Sequence, residues 1–316
     1  MKNLTHYLLG FLILSAVSSC KKKQVDETTP ATTTKGTYGF LGDAYKSYAP
    51  ATKDVSMNVA AGVSFYGNSG TRYTFPANIY QTASGATVTG TVTITVAEYL
   101  SQSDMLFSGV MPVSDGAPLV SAGEAYVNIS QNGQPVYIKP GHTYQATIPL
   151  KGNDGTNMSL FTGQTTNDPL NKVNWKLRNN KDSLSEARVI YMSGGDSINL
   201  FNDSCGYVNC DRFFSNPNYQ DFTINITGVQ LDANTQAQAF ALYDNFNGFW
   251  QFPQPTSNTV QATHVADVPV HLIIVAIVNG DFYAGILGMT PKTGQTFTVP
   301  VTKTDPKTLK QQIDAL

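Results

Sequence analysis

The sequence predicts an all-β protein: two β-sandwich-like domains joined by an irregular connecting region, with a short C-terminal helix. Three observations predict it. Apolar and polar residues alternate with period two in many short runs, as at residues 87–97 (TVTGTVTITVA). Asn-Gly pairs at 132–133 and 279–280 lie between such runs and supply the positive φ angles of type I′ hairpin turns. Helical spacing of apolar residues occurs at the very end of the chain, where Leu309, Ile313 and Leu316 share one face.

Residues 1–19 read as a lipoprotein signal peptide. Lys2 supplies the positive charge, and residues 7–17 form an apolar run of eleven. A spanning helix needs roughly 20 apolar residues, so this run has the length of a signal core instead. It ends at Val17-Ser18-Ser19-Cys20. That arrangement resembles a lipobox, which implies lipidation of Cys20 and cleavage before it. The expected partner of this end is therefore a membrane, and the expected address is the outer membrane, lipid-anchored, on the periplasmic side or the cell surface. Residues 20–37 are polar and threonine-rich. They cannot bury enough apolar surface to fold and are expected to act as a tether.

The first sandwich is expected over 38–151. Its signals are the 87–97 alternation, a hairpin around Asn132-Gly133, and a turn at Pro140-Gly141 followed by a strand over 143–150. Residues 152–218 are less regular. They carry Trp175, a short strand at 188–192 and the 204–214 stretch (SCGYVNCDRFF), and are expected to form a connecting region with short strands. The second sandwich is expected over 219–316. Phe222, Ile224 and Ile226 alternate with polar residues, and residues 272–278 (LIIVAIV) suit a buried strand. Asp305 can cap the terminal helix, with Pro306 in its first turn.

Loss of residues 1–19 removes Lys2 and no acid, leaving 19 basic and 22 acidic residues and a net charge of −3. A nucleic-acid binder would show a basic excess, so no nucleic-acid partner is expected. Cys205 and Cys210 remain in the body. An oxidising compartment allows a disulfide between them if they flank a hairpin turn, and forbids it if the stretch is an extended strand.

No cofactor, metal site or catalytic residue is expected. The sequence has no Gly-x-Ser-x-Gly elbow and no His-Glu-x-x-His. His142, His264 and His271 read as turn and strand-edge residues, with a hydrolase that uses His264 or His271 and an acid as a rival. Glu98 and Glu124 would serve as a glycosidase pair only if held about 5–10 Å apart. Asp211 and Arg212 read as part of a buried polar network, with ligand contact as the alternative. Residues 153–157 (NDGTN) read as a turn, with calcium ligation as the alternative. The aromatics Phe246, Phe249, Trp250 and Phe252 are candidates for binding a glycan or protein, against a reading in which they fill the second core. Asp182-Ser183-Leu184 and Asp196-Ser197-Ile198 match a short O-glycosylation acceptor pattern, which makes Ser183 and Ser197 candidate modification sites.

One further signal is a resemblance. Val88-Thr89-Gly90, Val92, Ile94, Glu98, Asp104-Met105, Ser108-Gly109, Leu119, Ser121-Ala122-Gly123, Gly133, Val136 and Gly141 carry it. These residues resemble an envelope lipoprotein of the Bacteroidetes kind, with a first domain similar to the zonula-occludens/netrin-receptor β-sandwich. Trp175 and residues 208–213 (VNCDRF) also resemble features of those lipoproteins. The chain departs in a shortened 104–119 stretch and in Glu124 beside the Ser-Ala-Gly turn. The resemblance implies a fold, an envelope location and a non-catalytic scaffold or interaction role. It implies no reaction.

Overall fold

The computed structural model describes residues 38–151, 154–168, 170–178, 187–191, 195–216 and 218–316. The signal and tether expected over 1–37, and Ser183, lie outside the described residues.

Four main sheets account for the body. Sheet I runs in the order Arg188–Tyr191, Ser197–Asn202, Tyr144–Pro149, Arg72–Phe75, Val63–Tyr66. Sheet II runs Lys53–Asn58, Thr91–Tyr99, Ala117–Gln131, Gly206–Phe213, Ser159–Thr165, Val173–Leu177. Sheet III runs Phe249–Gln251, Gln236–Tyr243, Val270–Val278, Asp281–Met289, Thr302–Lys303. Sheet IV runs Thr259–Ala266, Tyr219–Thr227, Thr296–Pro300, and its last pair is parallel.

Sheets I and II bury one core between them, drawn from Tyr73, Phe75, Tyr144 and Ile148 on one side and Val92, Ile94, Val127 and Val208 on the other. Sheets III and IV bury a second, with Ala239, Leu272 and Ile274 facing Phe222, Ile224 and Val299. The opposite faces of sheets II and III are buried too. Tyr99, Leu119, Phe161 and Trp175 from sheet II share a third core with Phe240, Leu242, Ile273 and Phe282 from sheet III. Three short helices fill this middle layer: α1 (Leu41–Lys46), α2 (Gln102–Ser108) and α3 (Pro306–Asp314). The layers therefore run sheet I, sheet II, helices, sheet III, sheet IV.

Double-sided burial explains the least patterned strand. Leu272, Ile273, Ile274, Val275 and Ala276 are all fully buried, because odd positions face the helices and even positions face sheet IV. A strand covered on both sides reads as a continuous apolar run. The hairpins form as expected: Asn132 and Gly133 have φ of 51° and 77°, and Asn279 and Gly280 have 52° and 80°. α3 is capped by the Asp305 side chain, which accepts from Thr308 N at 2.9 Å, with Pro306 opening the helix. Leu309 and Ile313 are buried, while Leu316 is exposed.

The all-β class and the terminal helix hold, and two boundaries need correction. Residues 152–218 are not a separate connecting region. They supply five strands, three to sheet II and two to sheet I. The two sandwiches are also not separate bodies, because residues 38–316 belong to one compact unit with a shared middle core. α1 and α2 were not expected. α2 carries its signals locally, since the Ser101 hydroxyl caps Asp104 N and Gly109 ends the helix at φ 63°. α1 has no side-chain cap. Sheet III holds it instead: Gln236 Oε1 accepts from Leu41 N at 3.0 Å, and Tyr45 OH donates to Gln238 Oε1 at 3.2 Å.

Polar contacts pin the sandwiches at the 243–248 loop. Gln102 Nε2 donates to Tyr243 O at 2.8 Å and Phe246 O at 3.1 Å, and Ser121 N donates to Asn247 O at 2.9 Å. Gly248 lies so close to sheet II that a Cβ there would fall 2.9 Å from Leu119 O and 2.4 Å from the Phe246 ring. Gly248→Ala should therefore lower the free energy of unfolding in urea by about 1–3 kcal/mol, the usual cost of overpacking. Unchanged stability would mean that the loop is free to move off sheet II.

Candidate functional site

The strand partners of Glu124 bring a carboxyl pair together that spacing alone does not reveal. Glu124 lies opposite Asn209, and Ser121 lies opposite Asp211. A bulge at Ala122 puts Ser121 and Glu124 on the same face of sheet II. All four side chains are fully buried there, against the middle layer. Asn209 Nδ2 donates to Glu124 Oε1 at 3.2 Å and to Asp211 Oδ2, and Ser121 Oγ donates to Asn209 Oδ1 at 3.2 Å.

Burial pushes both carboxyls well above the usual carboxylate range. The charge of Asp211 adds to the shift of Glu124, while hydrogen bonds from Ser121 and Asn209 counter part of the shift of Asp211. A dry carboxyl pair with no cation beside it among the described residues resists ionisation. Glu124 Oε2 and Asp211 Oδ1 have no hydrogen-bond partner among the described residues. The cluster ties the strand Gly206–Phe213 to Ala117–Gln131 from inside, which is the buried-network reading of Asp211. Arg212 points the other way and reaches Asp154 Oδ2 at 3.4 Å.

Glu98 cannot pair with Glu124. It lies on the opposite face of sheet II, where its carboxylate accepts from Thr71 N at 2.8 Å and Ser69 N at 2.5 Å. It holds the 67–71 turn against the first core. A Cβ on Gly67 would come within 2.2 Å of Glu98 Oε2, so this turn needs glycine.

Cys205 and Cys210 are free thiols. Cys210 sits inside the strand Gly206–Phe213 and Cys205 just precedes it. Five residues of extended chain separate them by roughly 16 Å, far beyond disulfide reach. The hairpin geometry that would have joined them is absent. Burial pushes the Cys205 thiol up to about 11 and that of Cys210 well above the ordinary value.

The aromatic stretch is split between cores. Phe249 is fully buried in the middle layer and Phe252 is buried between sheets III and IV. Neither presents a ring to a ligand, which corrects their assignment to a binding surface. Phe246 is half-buried and stacks on Tyr243 at 4.7 Å, and Trp250 is half-buried against the same outer core.

The histidines are occupied. His271 Nδ1 meets Asp244 Oδ1 at 2.7 Å, and its Nε2 faces Gly288, where an added Cβ would lie 3.0 Å away. His264 adopts φ 58° on an exposed strand, with its N–H held by Asp221 at 2.9 Å and its ring over Tyr219. His142 Nδ1 contacts Pro140 O in the expected turn. Asp154 closes a turn on the backbone and hydroxyl of Thr156, both at 2.9 Å. No group of three or more His, Cys, Asp or Glu among the described residues is placed to hold a metal ion.

Surface depressions among the described residues include one of about 280 Å³ lined by Ala284, Ile286, Pro300 and Gln312, and two larger ones. A groove of about 540 Å³ is lined by Tyr137, Gln81, Ser204 and Cys205, with Asp203 held by Arg178 at 2.6 Å. A cleft of about 390 Å³ opens on the outer face of sheet I. It is lined by Tyr66, Arg72, Thr147, Pro149, Asp196 and Ser197. Strand register sets Tyr66, Arg72, Thr147, Asn199 and Ile190 in one cross-strand row. Thr147 Oγ1 and Gln145 Nε2 both donate to Asn199 Oδ1, at 2.8 and 2.9 Å. Sequence reasoning named Asp196 and Ser197, as part of an O-glycosylation pattern, and missed Tyr66 and Arg72. The two pairs are distant in sequence, and the register of sheet I is what gathers them.

Because both carboxyls hold protons more tightly in the folded chain, stability falls as pH rises. The loss begins at the unfolded carboxyl values near about 4 and continues toward the raised folded values. The double variant Glu124→Gln, Asp211→Asn should be more stable than the native chain at pH 7, with a flatter profile in urea titrations between pH 4 and 8. A native chain that gains stability relative to the variant across that range would show that the pair folds ionised.

No family model matches the sequence, and the search of curated proteins finds no similar chain.

Proposed function

We propose that the chain is a lipid-anchored outer-membrane protein whose β body works without catalysis, as an interaction or scaffold module. One observation carries this reading. The titratable groups the sequence offered for chemistry are committed to the fold's own joints: Glu98 to a turn, Glu124 and Asp211 to a strand pair, His271 to Asp244. The outward face of sheet I, by contrast, carries exposed side chains and a cleft. The lipobox-like Val17-Ser18-Ser19-Cys20 and the polar tether behind it supply the anchor. Stable attachment follows from several acyl chains on one cysteine, at about 0.8 kcal/mol per buried methylene. The resemblance to Bacteroidetes envelope lipoproteins supports the same address. Among the described residues no helix is long and apolar enough to cross a membrane, so the anchor in this reading is the lipid.

Metabolic palmitate labelling should mark the protein, and Cys20→Ala should abolish the label and release the chain to the soluble fraction. Denatured mature protein should titrate two thiols, because the sulfur of Cys20 becomes a thioether while Cys205 and Cys210 are free. An unlabelled, soluble protein with a third thiol would overturn the reading. Protease treatment of intact cells distinguishes the two membrane faces. A mass shift on the Ser183 or Ser197 peptide from the native host would establish O-glycosylation.

A further inference from the structure

We propose that the cleft at the Tyr66 end of sheet I binds a neutral saccharide. The inference rests on the reading of the body as a binding module and adds a place and a ligand class. Among the described residues Tyr66 is the most exposed large hydrophobic side chain, at 61%. It lies on a sheet whose other face is packed, so the ring stands on a rigid platform. A sugar ring offers one face of C–H groups to an aromatic and a rim of hydroxyls to polar side chains.

The rim partners are present. Arg72 and Asp196 line the same cleft, and neither side chain has a hydrogen-bond or ion-pair partner among the described residues. Together they offer donors and acceptors of balanced charge, which suits vicinal hydroxyls, and the Lys53 ammonium close by is engaged by Tyr66 O at 2.7 Å. Thr147 is already fixed by its bond to Asn199, so presenting it costs little ordering entropy. Asn199 Oδ1 is taken by two donors, which leaves its Nδ2 for a ligand farther along the row. The larger groove is less suited. Its Asp203 is tied to Arg178, and its Ser204 hydroxyl donates to Asn202 at 3.2 Å.

The test is calorimetric titration of detergent-purified full-length protein with neutral oligosaccharides of gluco, manno, galacto and xylo configuration. At least one should bind, and binding should persist in about 0.5 M salt, where charge-driven contacts are screened. Tyr66→Ala should weaken it roughly tenfold, the upper end of what one stacking contact contributes. Arg72→Gln should also weaken it, and Tyr137→Ala, in the other groove, should not. Tyr66 is exposed, so an unchanged melting temperature separates lost binding from lost fold. Failure of every sugar to bind, binding indifferent to Tyr66→Ala, or binding confined to charged glycans would overturn the proposal. So would a cleft already filled by a glycan attached to Ser197. A chain that binds no sugar but keeps its palmitate label overturns this inference alone and leaves the anchored-module reading standing.

Discussion

Burial of two sheets on both faces is the constraint on which the rest of the structure depends. A β-sandwich ordinarily leaves its outer faces to solvent, and sheets II and III do not have that freedom. Their second faces carry Trp175, Phe161, Phe240 and Phe282, all but hidden from water. Exposing one such side chain would cost about 1.5–3 kcal/mol. Short helices occupy the space between sheets II and III and share their core. This explains why α1 exists without a side-chain cap. It also explains why Lys310 of α3 reaches Ser103 at 2.6 Å and Asp104 at 2.8 Å on α2, clasping helices about 200 residues apart in the chain.

The same burial gives the carboxyl cluster its character. At an exposed strand, Glu124 and Asp211 would be ordinary solvated acids. Under the middle layer they lose water, have no cation beside them among the described residues, and hold their protons more tightly than free carboxyls. Replacing such a group by an apolar one of similar shape is often neutral or stabilising. Their worth is better sought in register. The Ala122 bulge makes Ser121, Glu124, Asn209 and Asp211 line up on one face, and a one-residue slip would carry the acids to the wrong side of the sheet. A polar cluster whose side chains hydrogen-bond one another in only one alignment disfavours the neighbouring alignments.

What was legible in the sequence follows the same division. Features set by neighbouring residues could be read: the two Asn-Gly hairpins, the Asp305-Pro306 helix start, the buried run at 272–278. Features set by the partner of a strand could not. Residues 152–218 looked irregular because their strands are short and separated by polar turns, yet they sit in sheets I and II beside strands over fifty residues away. Phe249 and Phe252 could be read either as a binding cluster around Asn247-Gly248 or as filling of the second core, and the sequence could not assign them to separate cores. Strand Phe249–Gln251 sends the first to the middle layer, and the chain beyond it sends the second to the outer core. The Asp211 network was readable in kind but not in membership, since Glu124 reaches it only through a bulge.

If the inner faces of sheets II and III are spent on packing, recognition falls to the outer faces of sheets I and IV. They differ in a way that matters. Sheet IV shows Thr223 beside Gln261 and Thr296, and Asn225 beside Thr259 and Thr298, with the Tyr219 and His264 pair at one end. That face is polar, and its strained His264 is held in place by Asp221. Sheet I has the cleft, the projecting Tyr66 ring and a hydroxyl-amide network already set in place. A polar face competes poorly with water, because each hydrogen bond to a ligand replaces one to solvent. A ring beside a cleft removes apolar surface from water as it binds, and fixed polar neighbours then select among ligands without further ordering. That difference, more than the number of polar groups, is why sheet I is the better binding face.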